Sequence, residues 1–137
     1  MQDTLEYEIS RDIHGGNMAR VLIVDDSKTS RKFLKNMLEE AGHEIIAEAV
    51  DGADGVAKYM ELKPDVVTMD ITMPVMDGIE AVGEIMRQDP EAKVIMVTAA
   101  GQKNNMVEAL KKGAADFIQK PFESGIIINT IDKVIEE

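Results

Sequence analysis

The 137-residue chain contains no cysteine, which excludes a disulfide framework and any thiolate-held metal. Aromatic residues make up only 4% of it, and ten methionines point to an adaptable apolar core. No apolar run approaches the roughly 18–20 residues needed to span a bilayer, and the N-terminus lacks the apolar centre of a signal peptide, so a cytoplasmic location without membrane insertion is expected. Positive charge is scarce. Fifteen Lys and Arg stand against 26 Asp and Glu, and the net charge of −11 argues against a nucleic-acid or anionic-membrane surface. The rest of the composition, 45% hydrophobic and 30% charged, is that of an ordinary globular domain with room for one core.

Residues 1–17 read differently from the rest. Leu5, Tyr7 and Ile9 alternate with polar residues in a weak strand pattern, and His14, Gly15, Gly16 and Asn17 form a joint. We read 1–17 as an N-terminal extension or expression remnant and 18–137 as the domain.

From Met18 the pattern is regular. Strands are expected at 20–24, 44–50, 66–69, 93–98 and 115–119, each a short run rich in β-branched residues. Helices are expected between them and after the last. Ser27 caps the first, with Phe33, Leu34, Met37, Leu38 and Ala41 facing inward and Gly42 ending it. Val56, Tyr59, Met60 and Leu62 form the stripe of the second, which Pro64 stops; Ile79, Val82, Ile85 and Met86 form that of the third. The fourth is expected to start at Gly101 with Met106, Val107 and Leu110 inward, and the fifth carries Ile127, Ile131, Val134 and Ile135. Alternation of this kind implies an α/β, doubly wound (βα)5 flavodoxin-like fold, with a five-stranded parallel sheet in the order 2-1-3-4-5.

In such sheets, ligands bind at the carboxyl ends of the strands. The first strand ends in Asp25 and Asp26, the third in Asp70, the fourth in Thr98 and the fifth in Lys120. Asp70 in isolation would suit a turn cap equally well. With strands about 4.8 Å apart, the acidic pair lies one strand from Asp70, and Lys120 is expected to reach it from the opposite side. Three carboxylates this close repel one another unless a hard cation lies among them, and Mg²⁺ with a phosphate suits that set better than a metal-free structural network. Thr98 and Lys120 supply donors for a phosphoryl group on Asp70.

Four motifs carry a resemblance: Leu22-Ile23-Val24-Asp25-Asp26-Ser27, Met69-Asp70-Ile71-Thr72-Met73-Pro74-Val75-Met76-Asp77-Gly78, Val97-Thr98-Ala99 and Phe117-Ile118-Gln119-Lys120-Pro121-Phe122. Together they resemble the receiver domain of two-component response regulators, and among these the single-domain chemotaxis regulators. The resemblance covers about 19–135. It implies that Asp70 is the phosphoacceptor and that Asp26, Asp70 and the backbone carbonyl of Thr72 hold Mg²⁺, with Asp25 acting chiefly through bound water. It further implies that Lys120 pairs with the phosphoryl group, that Thr98 and Ala99 form the phosphoryl-binding switch with Phe117, and that the Lys120–Pro121 peptide is cis. One position departs from the pattern. The switch tyrosine of well-known chemotaxis regulators is Phe117 here, which has no hydroxyl to offer a partner.

The resemblance implies a phosphorylation-controlled binding module, not an enzyme acting on other substrates. Its expected partners are a histidine kinase, a downstream protein such as a flagellar motor switch, and a phosphatase, with the chain itself a monomer. No output domain is expected after Glu137, so output is binding, through a face including Phe117 and an exposed Ile126. The alternatives are a receiver fragment of a larger regulator and an aspartate-nucleophile phosphatase. The latter needs a second carboxylate at position 72, where threonine stands, and a substrate cap for which the chain has no room. His14 and His43 are expected to be solvated.

Overall fold

The computed structural model describes residues 18–136. The strand pattern at Leu5, Tyr7 and Ile9, the joint at 14–17 and His14 lie outside the described residues. Five strands alternate with five helices: β1 (Arg20–Val24), α1 (Lys28–Glu40), β2 (Glu44–Ala49), α2 (Gly52–Leu62), β3 (Val66–Asp70), α3 (Gly78–Gln88), β4 (Val94–Thr98), α4 (Lys103–Lys111), β5 (Asp116–Gln119) and α5 (Ser124–Glu136). All pairings are parallel, and the order is β2-β1-β3-β4-β5, as expected of the doubly wound fold.

Side chains alternate across the three central strands and so divide the core in two. Leu22, Val24, Val67, Met69, Val94 and Met96 face one way, against Tyr59 of α2, Ala81, Val82 and Ile85 of α3, and Ala109 of α4. Val21, Ile23, Val66 and Ile95 face the other way with Ile118, against Leu34, Met37 and Leu38 of α1 and Ile127, Ile131 and Val134 of α5. With both faces covered, these strands are mainly apolar and rich in β-branched residues, with Thr68 of β3 a buried polar exception. Ser27 caps α1 by accepting from the Ser30 amide at 3.2 Å, and Gly42 follows that helix with φ +93°.

Three expectations about side-chain placement are corrected. Phe33 is 57% exposed, because Leu34, Met37 and Leu38 already fill the space beneath α1. It instead borders, with Phe122, a surface hollow of about 550 Å³ beside Lys120. The fourth helix begins at Lys103, two residues after Gly101, and packs through the small Ala109. Met106, one turn before Ala109, is half-buried, but Val107 and Leu110 lie well around the helix from Ala109 and are exposed, so these two point away from the sheet. His43 is buried, not solvated: its Nδ1 accepts from the Ala19 amide at 3.0 Å, and its Nε2 lies 4.0 Å from Oδ1 of Asp132. Burial raises the pKa of Asp132, with His43 opposing the rise.

Candidate functional site

Sheet register assembles the site. Val24 pairs with Met69, so the next residues on each strand, Asp25 and Asp70, emerge side by side. Asp70 pairs with Val97, and Thr98 with Gln119, which brings Thr98 and Lys120 to the same edge. One carboxylate oxygen from each of Asp25, Asp26 and Asp70 lies within 4.8 Å of the others.

Each carboxylate is held differently. Asp25 is buried; its Oδ1 accepts from the Ser27 amide at 2.9 Å, and its carbonyl accepts from Nη1 of Arg31 at 2.8 Å. Asp26 is exposed. Asp70 has a side chain only 16% exposed, and its Oδ1 accepts from the Ile71 amide at 2.9 Å. Burial pushes its pKa up to about 6; Asp25 and Asp26 add to the rise, and Lys120 opposes it.

Lys120 takes a different position from the one expected. Its Nζ lies 3.5 Å from Oδ2 of Asp25 and 3.9 Å from Oδ2 of Asp70. It thus contacts one of the acidic pair as well as Asp70, and does not stay on the far side. The long lysine stem carries the ammonium over the end of β4 to the carboxylates of Asp25 and Asp70. The Lys120–Pro121 peptide is cis.

The loop after β3 is shaped by close backbone approaches. Gly78 donates to the Ile71 carbonyl at 2.7 Å, and a Cβ on Gly78 would lie 2.0 Å from the Asp70 carbonyl oxygen. A Cβ on Gly52 would lie 2.3 Å from the Met76 carbonyl oxygen, so α2 and this loop meet backbone to backbone. Between them Val75 is 84% exposed with φ +68°, a left-handed conformation that β-branched residues rarely adopt. Asp77 caps α3 by accepting from the Glu80 amide at 2.9 Å.

A residue not singled out in the sequence closes the site on the β4 side. Oε1 of Gln102 accepts from the Thr98 hydroxyl at 2.8 Å and from the Ala99 amide at 3.3 Å, while its Nε2 donates to Oγ1 of Thr72 at 3.1 Å. The only sequence hint is its place, four residues beyond Thr98 and directly before α4. Phe117 on β5 is 38% exposed and Ile126 on α5 is 53% exposed, both outside the carboxylate cluster.

A doubly wound sheet with three carboxylates and a lysine at its C-terminal edge defines a class, and the sequence profile of the response regulator receiver domain matches residues 21–132. The chain belongs to that family, whose members are signalling modules. It is similar to the chemotaxis protein CheY of Thermotoga maritima, with 52% identity over 84% of this chain and 96% of that protein. CheY of Listeria monocytogenes is 50% identical over 85% of this chain and 98% of that protein. Among solved structures, a chain of the CheX–CheY–BeF3–Mg²⁺ complex from Borrelia burgdorferi is 40% identical, with a TM-score of 0.81 over 88% of this chain and 90% of that one. Among the described residues no helix is long and apolar enough to cross a membrane.

Proposed function

We propose that this chain is a chemotaxis response regulator that accepts a phosphoryl group from a histidine kinase on Asp70, in a Mg²⁺-dependent reaction, and thereby changes its affinity for a downstream protein. The observation that carries this reading is the meeting of Asp25, Asp26 and Asp70 within 4.8 Å, with Lys120 between the first and last of them. On this reading the receiver unit spans 18–137, with 1–17 an extension outside it. The likeness to CheY proteins over nearly their full length supports chemotaxis over the other pathways that receivers serve.

The donor set fits the ion: the three clustered side chains offer only hard carboxylate oxygens, with no histidine or cysteine among them. Asp26, Asp70 and the Thr72 carbonyl would hold Mg²⁺, with Asp25 placed to bind its water. Once bound, the ion would offset negative charge on the incoming phosphoryl group.

The chain's own groups do the rest. An Oδ of Asp70 attacks phosphorus, the P–N bond to the donor imidazole breaks, and the imidazole leaves as the electron pair returns to nitrogen. Lys120 swings from the carboxylates to a phosphoryl oxygen, and Thr98 and the Ala99 amide donate to the others. Withdrawal of Thr98 toward Asp70 opens space for the Phe117 ring, altering the face formed by α4, β5 and α5. Downstream proteins, a motor switch or a phosphatase among them, would read that face. The chain catalyses only its own phosphorylation and dephosphorylation.

The test is chemical. After incubation with acetyl phosphate and Mg²⁺, the intact protein should gain the mass of one phosphoryl group, and hydroxylamine should remove it as it does an acyl phosphate. No gain, or a gain that resists hydroxylamine, would overturn the proposal.

A further inference from the structure

Gln102 lies outside the carboxylate cluster, yet it links three of the groups around the cluster. Its amide orientation is determined by its surroundings. The Ala99 backbone N–H can only donate, so the amide atom that faces it must be the oxygen. That same oxygen lies 2.8 Å from Oγ1 of Thr98 and has no proton to give, so the Thr98 hydroxyl points its single proton there in preference to the Ala99 carbonyl at 3.3 Å. The Nε2 group is then left to donate to Thr72, on the loop that follows Asp70. In this state the Thr98 proton is directed at Gln102, and neither it nor the Ala99 N–H is available to a phosphoryl group.

We propose that Gln102 is a positioning residue, a latch that sequesters the Thr98 hydroxyl and the Ala99 amide in the resting state and ties them to the Thr72 loop. The inference rests on Asp70 being the phosphoacceptor. When Thr98 and the Ala99 amide turn to the phosphoryl group, Gln102 loses both donors at once. Gln102 is also the residue on which α4 begins: its carbonyl accepts from the Met106 amide at 3.1 Å, and its side chain gives the helix no N-cap bond. Release of the latch therefore reaches the first turn of α4 directly. It provides a second route to the output face, separate from the movement of Phe117.

Gln102→Ala should free Thr98 before any phosphate arrives. In the unphosphorylated variant, the NMR signals of Thr98, Ala99 and the first turn of α4 should move along the line from the resting to the phosphorylated parent. Labelling by acetyl phosphate should be faster than in the parent by about 2–12-fold, the equivalent of one net hydrogen bond. Gln102→Glu keeps an acceptor for Thr98 and Ala99 but loses the donor to Thr72, so its Thr98 signals should stay near those of the resting parent. Signals of Gln102→Ala that coincide with the resting parent, or labelling that is unchanged or slower, would overturn the latch while leaving the phosphoacceptor assignment intact. A parent that takes up no phosphate would overturn that assignment and the latch with it.

Discussion

At Gly78 the backbone passes so close to Asp70 that no side chain fits: an added Cβ would meet the Asp70 carbonyl oxygen at 2.0 Å. The neighbour is backbone at the tip of β3 and cannot turn aside. Gly78→Ala should therefore destabilise the domain by about 3 kcal/mol or more, read from its denaturant midpoint. Burying Asp70 costs stability at neutral pH. Its folded pKa of about 6 lies above the unfolded value of about 3.9. The folded state thus binds the extra proton between those values, and stability falls as pH rises through that window. The full rise would be worth about 3 kcal/mol, which solvent screening at this partly open site reduces to about 1–2 kcal/mol. In chelator, Asp70→Asn should be more stable than the parent by that amount at pH 7.5, and the gap should close below about pH 4. A gap that does not vary with pH would place the strain elsewhere.

At the scale of elements, α4 is the least ordinary piece. Val107 and Leu110 lie off the sheet, and the helix seats itself through Ala109 with Met106 half-buried beside it. Ala109→Leu should cost about 1–3 kcal/mol through overpacking, whereas Leu110→Lys should stay within about 0.5 kcal/mol of the parent. If the two costs were reversed, Leu110 would be the buried residue. Val107 and Leu110 are exposed on α4, as are Phe117 on β5 and Ile126 on α5, and a regulated face needs such apolar residues in solvent. Leu110→Lys should accordingly weaken capture of a phosphate-dependent partner while leaving the fold as stable as before.

Across the whole molecule, the single lysine that spans β5 to β1 joins the two halves of the sheet electrostatically. The Lys120 ammonium lies 3.5 Å from Asp25 and 3.9 Å from Asp70, close enough to repel a divalent cation bound among these carboxylates. Lys120→Met should therefore raise Mg²⁺ affinity by about tenfold, measured by calorimetry, as one competing charge is removed. A fall in affinity would mean that Lys120 orients the carboxylates instead of competing for them.

The central strands were legible in the sequence because burial on both faces leaves short, mainly apolar runs, and the site was legible because polar residues stand at the ends of four strands. What escaped was direction. A lysine's length says how far Nζ can travel, not that it will cross to Asp25. A helical stripe says which residues share a face, not that Ala109 would win the contact with the sheet. His43 follows a glycine turn, yet α5 covers it through Asp132, a contact between residues far apart in the chain. Gln102 has no motif of its own, and its role depends on hydroxyls brought in by two other segments.

Whether Asp70 is the phosphoacceptor, with Mg²⁺ held by the carboxylate cluster, is decided by intact mass after exposure to acetyl phosphate, for the parent and Asp70→Asn, each in Mg²⁺ and in excess chelator. The parent in Mg²⁺ should gain one phosphoryl group, and none should appear under the other three conditions. Equal labelling of the Asn variant, or full labelling of the parent in chelator, would contradict that assignment.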